Sequence, residues 1–164
     1  MSNNFVKAIQ FTLEHEVGLD RKGNLRADGG YTNDPRDPGG ETKWGISKKA
    51  HPALDIKNLT LDEAFTIYKK EYYDAYSIVK LDDLEVALAV AIFDSGVNCG
   101  IGKASRWYSQ SKDARDPVNA LLCLRKAYYT ALKSYPTYGK GWLKRVVELS
   151  KYCSILQNDS SALT

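Results

Sequence analysis

The chain has 164 residues, 43% of them hydrophobic and 26% charged, the balance of a folded globular protein and not of a disordered one. The net charge of +3 is unevenly placed: residues 100–164 hold 11 Lys or Arg against 4 Asp or Glu, a balance of +7, and residues 1–99 balance at −4. The basic half reads either as a solvated helical surface or as an attractor for a polyanion such as a bacterial envelope or nucleic acid.

No membrane span is expected, because the longest strongly apolar run, Val86 to Phe93, is far too short. Met1 to Lys7 lacks the basic-then-apolar layout of a signal peptide. The expectation is a protein made in a cytoplasm that needs help to reach a target outside it. The cysteines, Cys99, Cys123 and Cys153, are odd in number and widely spaced, and buried free thiols are expected. His15 and His51 are too few for a metal site.

In chain order, Phe5, Ala8, Ile9, Leu13 and Val17 recur at spacings of three and four, which predicts an amphipathic helix over 4–17 stopped by Gly18. Residues 18–46 lose that period and are rich in Gly, Asp, Asn and Pro, predicting loops with a short hairpin. Thr60-Leu-Asp-Glu63 is a capping box opening a helix to about Tyr76. Asp82 or Asp83 caps the next helix, from about Leu84, whose run Val86 to Phe93 is apolar on every side and belongs in the core, with Gly96 and Gly100 marking its end. A helix over about 103–111 follows. Asp116-Pro117 opens another that ends before Pro136. The last is expected over about 140–156, with Trp142, Val146, Leu149 and Cys153 on one face. The tail, 158–164, is expected to fray. The fold class predicted is mainly α, with α+β character: one helical domain over 1–157 with a small loop and hairpin lobe over 18–46.

Four stretches are more particular than a fold requires. In Leu13-Glu14-His15-Glu16, a carboxyl in the last helical turn faces the negative end of the helix dipole, a setting that favours the protonated form a general acid needs. Glu16 borders the buried face and Glu14 does not. Glycines 29 and 30 open a loop running to Ile46 with two Asp-Pro steps and two Gly-Gly pairs. It also carries Tyr31 and Trp44, odd residues for a free loop, with Asp34, Asp37 and Glu41. Aromatics to stack on sugar rings, carboxylates for chemistry and glycines for close approach suit a carbohydrate cleft. In Phe93-Asp94-Ser-Gly-Val-Asn98-Cys-Gly100, Asp94 and Asn98 either cap the core helix or line a cleft wall. Gly141-Trp142-Leu-Lys-Arg145-Val146 places an aromatic and an Arg on the last helix.

Together these blocks resemble the phage endolysins of glycoside hydrolase family 108. The family pattern runs His-Glu-Gly-Gly-Tyr, then Asn-Asp-Pro-x-Asp-Pro-Gly-Gly-x-Thr-x-x-Gly-Ile, a Leu-Thr-x-x-x-Ala helix, Phe-Asp-x-x-Val-Asn-x-Gly and Gly-Trp-x-x-Arg-Val. The chain offers His15-Glu16, Asn33 to Ile46, Leu59-Thr60 to Ala64, Phe93 to Gly100 and Gly141 to Val146, in that order over nearly its whole length. The resemblance implies a lysozyme-like fold and an N-acetylmuramidase cutting the β-1,4 bond between N-acetylmuramic acid and N-acetylglucosamine, with no cofactor and no metal. It implies peptidoglycan as the partner of a monomer that binds no nucleic acid and inserts in no membrane, released to the cell wall by a separate pore-forming protein. Glu16, Asp37 and Thr42 carry over as the catalytic residues, with Tyr31, Trp44, Asp94 and Asn98 as sugar contacts.

One departure matters. In the family Gly-Gly-Tyr follows the glutamate directly, whereas here the 12 residues 17–28 intervene. Asp28-Gly29-Gly30-Tyr31 therefore makes Asp28 the alternative acid. Glu16 is preferred because its leading helix fits and because an insertion there only lengthens a surface hairpin. Alternative readings are a lytic transglycosylase or chitinase-like glycosidase using the same residues, or a non-catalytic cell-wall or nucleic-acid binding module.

Overall fold

The computed structural model describes residues 1–35 and 39–161. Among them lie six α-helices and one two-stranded antiparallel hairpin: α1 (Asn3–Val17), β1 (Thr42–Lys43), β2 (Ile46–Ser47), α2 (Leu61–Tyr68), α3 (Val86–Cys99), α4 (Ile101–Ser111), α5 (Pro117–Thr130) and α6 (Tyr135–Ser161). The fold is mainly helical, as the periodicity predicts. None of these helices is long and apolar enough to cross a membrane.

The chain divides into two compact units. The helical unit comprises Met1–Phe11 and Tyr72–Thr164. The smaller unit is Thr12–Glu71, so the loop lobe expected over 18–46 is the middle of a larger body that also takes the end of α1 and all of α2.

In the helical unit, α3 is the centre. Every residue from Ala87 to Gly96 is buried, and α4, α5 and α6 pack around it. Burying Leu88, Val90, Ile92 and Phe93 contributes about 1.5–3 kcal/mol each. Phe5 meets Tyr73 and Phe93 edge-on at 5.0 and 6.2 Å. Val146, Leu149, Cys153 and Leu156 form the buried stripe of α6.

Several boundaries differ from expectation. Helix α3 is capped by Glu85, whose carboxylate accepts from the Leu88 N–H, while Asp82 and Asp83 lie in a single tight turn before it. Gly100 ends α3 with φ 91°, but Gly96 lies within the helix. A Cβ at Gly96 would stand 2.0 Å from the Tyr76 hydroxyl, which donates to the Ile92 carbonyl at 3.0 Å, so the missing side chain makes room for that bond. The α2 helix keeps its capping box at Thr60 and Glu63 but ends at Tyr68 and passes into a wider turn, Lys69–Tyr73. Helix α6 starts earlier than expected, at Tyr135, because Pro136 fits a first turn where no N–H partner is needed. It also runs on to Ser161, past the end expected at about 156. Of the three thiols expected to be buried, only Cys153 is; Cys99 is half-buried and Cys123 is exposed.

Candidate active site

The smaller unit is organised by the end of α1 and by the β1–β2 hairpin. Gly18, at φ 80°, terminates α1 in the left-handed form, its N–H donating to the Glu14 carbonyl at 3.2 Å. Leu13 and Val17 turn into the unit, and Glu16 is left exposed. Strands β1 and β2 are joined by two residues only, Trp44 and Gly45, with φ of 55° and 75°. Positive φ at both central positions makes a type I′ turn, which matches strand twist and normally selects Asn-Gly. Trp44 tolerates this conformation because packing holds it there. Its ring is only 8% exposed, its indole N–H donates to the Leu59 carbonyl at 3.1 Å, and its backbone N–H donates to the Gly29 carbonyl at 2.7 Å.

This turn carries Gly45 to the side of Glu16. A Cβ at Gly45 would lie 3.2 Å from the Glu16 Cβ and 2.4 Å from the Tyr68 hydroxyl. Tyr68 is itself buried and donates to the Trp44 carbonyl at 3.1 Å. Glu16, Gly45 and Tyr68 are therefore in close contact, and the acid's stem rests on bare backbone. Gly45→Ala should strain the turn and push Glu16 aside. The expected cost is about 1–3 kcal/mol of stability, with up to about a hundredfold loss of turnover if the carboxyl moves by about 1 Å. Thermal melting and cleavage assays on the same preparation would check both; unchanged turnover would mean that Glu16 does not depend on this contact.

The 12-residue insertion is a closed excursion. Its stems bridge at Leu19 and Leu25, and the Arg26 N–H donates to the Gly18 carbonyl at 3.3 Å. The chain then returns to its point of departure: a Cβ at Gly30 would be 3.2 Å from the Val17 Cα. Gly29 lies on the Trp44 ring, where a Cβ would be 2.6 Å from it. In space, then, Gly29-Gly30-Tyr31 follows the end of α1 almost as if the insertion were absent.

The alternative acid, Asp28, is placed otherwise. Its carboxylate is ion-paired with Arg26 at 2.6 Å and accepts from the Gly30 N–H at 2.9 Å. These bonds, Arg26 first, hold its carboxyl below the ordinary aspartate range. An acid so held is a poor proton donor.

Tyr31 is half-buried, and its hydroxyl donates to Glu41 at 2.6 Å, which holds the phenol above its ordinary value. Thr42 is paired through its backbone with Thr32, both N–H···O distances being 2.9 Å, and its hydroxyl donates to the Gly40 carbonyl at 3.3 Å. The hydroxyl oxygen keeps lone pairs with which to accept from a water. Asp37 lies outside the described residues.

Two residues expected as sugar contacts have other surroundings. Trp44 is enclosed in the smaller unit, as above, and works as the anchor of the turn. Asp94, in the helical unit, is 0% exposed. It accepts from Arg125 at 2.7 Å and from Arg145 at 2.6 Å. Burial alone would raise its carboxyl, but the two guanidinium charges outweigh it and hold the group at about 2. Arg125 is fully buried too, donating also to Ser95 and to the Tyr129 hydroxyl. Asn98 remains exposed beside Arg145, which its amide oxygen meets at 2.9 Å when the amide is turned to face the guanidinium. Sequence reasoning missed the roles of Tyr68, Gly45 and Arg125; Arg125 follows the apolar run Ala120 to Leu124 and precedes Lys126, so nothing local sets it apart from a surface charge.

Among the described residues no group of three or more His, Cys, Asp or Glu could hold a metal ion. Residues 22–100 match the family model for glycosyl hydrolase 108. The comparison with curated proteins finds no match. Among solved structures, SagA of Brucella abortus is similar over 96% of this chain and 97% of its own, with 25% identity and a TM-score of 0.73. The family match lies in the middle of the chain and the shared fold runs over nearly all of it: this protein is similar to glycosyl hydrolase family 108 over residues 22–100 and to SagA in its fold.

Proposed function

We propose that the protein is an N-acetylmuramidase that hydrolyses the β-1,4 bond between N-acetylmuramic acid and N-acetylglucosamine, and that it serves as a phage endolysin acting on the cell wall as a monomer after release by a separate pore-forming protein. The observation that carries this reading is the contact of Glu16 with Gly45. It sets an exposed carboxyl at the end of α1 against the glycine turn of the Thr42-Lys-Trp-Gly45-Ile46 block.

In this mechanism Glu16, protonated, donates to the glycosidic oxygen as the bond to the muramic acid C1 lengthens. Asp37, ionised, activates a water or steadies the positive charge that develops on the ring. Thr42 helps place that water. Tyr31 contacts sugar. Asp94, by its burial, acts on Asn98 through Arg145 and not on the sugar itself.

Mass analysis of fragments released from purified peptidoglycan tests the bond assignment. Reducing ends on muramic acid are expected. Anhydro-sugars would identify a lytic transglycosylase, and reducing ends on glucosamine or free peptides would identify other activities.

Asp37→Asn and Thr42→Ala should each slow turnover, Asp37→Asn more strongly. A lost carboxylate removes charge stabilisation, whereas a lost hydroxyl removes one positioning bond. In a double-mutant cycle the two effects should fall short of adding. Simple additivity would mean that they do not serve one water.

A further inference from the structure

The insertion occupies the chain between Val17 and Gly29. It is built more firmly than a solvated loop requires. The Asp20 carboxylate accepts from the Lys22 and Asn24 N–H groups at 2.8 and 3.0 Å, and the Asp20 N–H donates to the Asn24 carbonyl at 2.7 Å. Gly23, at φ 82°, closes the turn with its N–H on the Asp20 carbonyl. Asp28 is engaged by Arg26. Both acids of the hairpin are thus used within it. What the tip turns outward is Arg21 and Lys22, both exposed, with Leu19 half in solvent beside them.

An ordered loop holds its charges where they are needed and loses less entropy on binding. The position is also restrictive. The hairpin departs two residues after Glu16, and at about 3.3 Å per residue its tip stays within roughly 20 Å of that carboxyl. A glycan strand crossing the site therefore passes within reach of it. The sugar rings are neutral; the carboxylates of peptidoglycan belong to the peptide stems carried by the muramic acid residues. A guanidinium fork and an ammonium suit such carboxylates.

We propose that the hairpin over 18–28 is a specificity element in which Arg21 and Lys22 bind carboxylates of the peptide stem next to the bond that Glu16 cleaves. This rests on the glycosidase reading above, and it assigns a substrate contact to the segment that separates Glu16 from Gly29-Gly30-Tyr31.

The test uses the double variant Arg21→Gln/Lys22→Gln, the charge-keeping variant Arg21→Lys/Lys22→Arg, and two substrates: purified peptidoglycan, and the same material with its stem carboxylates converted to amides. On native peptidoglycan at low salt the Gln variant should show KM raised about three- to tenfold, the scale of two exposed ion pairs, with a smaller change in kcat. The charge-keeping variant should stay near wild type. On the amidated substrate wild type and Gln variant should coincide. Equal KM values on native peptidoglycan, or a difference that persists after amidation, would overturn the proposal. A wild-type protein releasing no reducing ends from either substrate would overturn the glycosidase reading first, and that result needs no variant.

Discussion

Glu16→Gln should reduce release of reducing ends by at least about a hundredfold, the lower end of what a positioned general acid contributes. Glutamine matches the size and polarity of the side chain but has no acidic proton to give. Glu16 is exposed, and its stem touches Gly45 by carbon, so the variant should melt within about 0.5 kcal/mol of wild type. Asp28→Asn is the matching control. It breaks an exposed ion pair with Arg26 and should keep most of the activity, because the acid there is held ionised by Arg26 and the Gly30 N–H. An active Glu16→Gln together with a dead Asp28→Asn would move the acid to the other end of the insertion.

The largest expected loss of stability is at Asp94. Asp94→Ala leaves Arg125, with no exposed surface, without its counter-ion, and breaking a buried pair in this way costs about 3–5 kcal/mol. For a chain of this size that lowers the melting temperature by roughly 10 °C. Replacing both partners, as Asp94→Ala/Arg125→Met, should recover part of the loss, since the orphaned charge is gone. The same pair sets an acid limit. The folded carboxyl titrates at about 2, below the ordinary 3.8, so its contribution is complete above about pH 4 and is lost as the pH falls toward 2. That contribution is roughly 2 kcal/mol. Melting curves from pH 5 to pH 2 should show the wild type losing stability faster than the Asp94→Ala/Arg125→Met protein; parallel curves would mean the pair does not stabilise the fold.

What could be read from the sequence was what is decided locally. The Thr60–Glu63 capping box, the Asp116-Pro117 start, whose carboxylate accepts from the Asn119 N–H, and the Gly18 stop each depend on three or four adjacent residues. The cap of α3 is Glu85 and not Asp82 or Asp83; the three acids stand close together in sequence, and only the path of the preceding turn decides among them. Trp44 reads as a surface aromatic on a Gly-rich loop. Its burial follows from a type I′ turn and from the Leu59 carbonyl 15 residues on. Asp94 reads as a polar cap or a cleft residue, but its partners stand 31 and 51 residues away on α5 and α6. No spacing rule reaches that far, whereas the place of Glu16 at the end of α1 follows from the periodicity of the helix alone.

The self-closing insertion also bears on how this protein can change over generations. Its two stems meet at Gly18 and Arg26, and the residues that flank them, Val17 and Gly30, already touch. Residues gained or lost at the tip therefore need not shift Glu16 on one side or Tyr31 on the other. Loop closure makes such changes inexpensive, each doubling of length costing only about 0.6 kcal/mol. The tip is in this sense a free variable beside a fixed turn, where a lineage meeting a new wall chemistry could try different lengths and charges while Glu16, the proposed proton donor, stays in register.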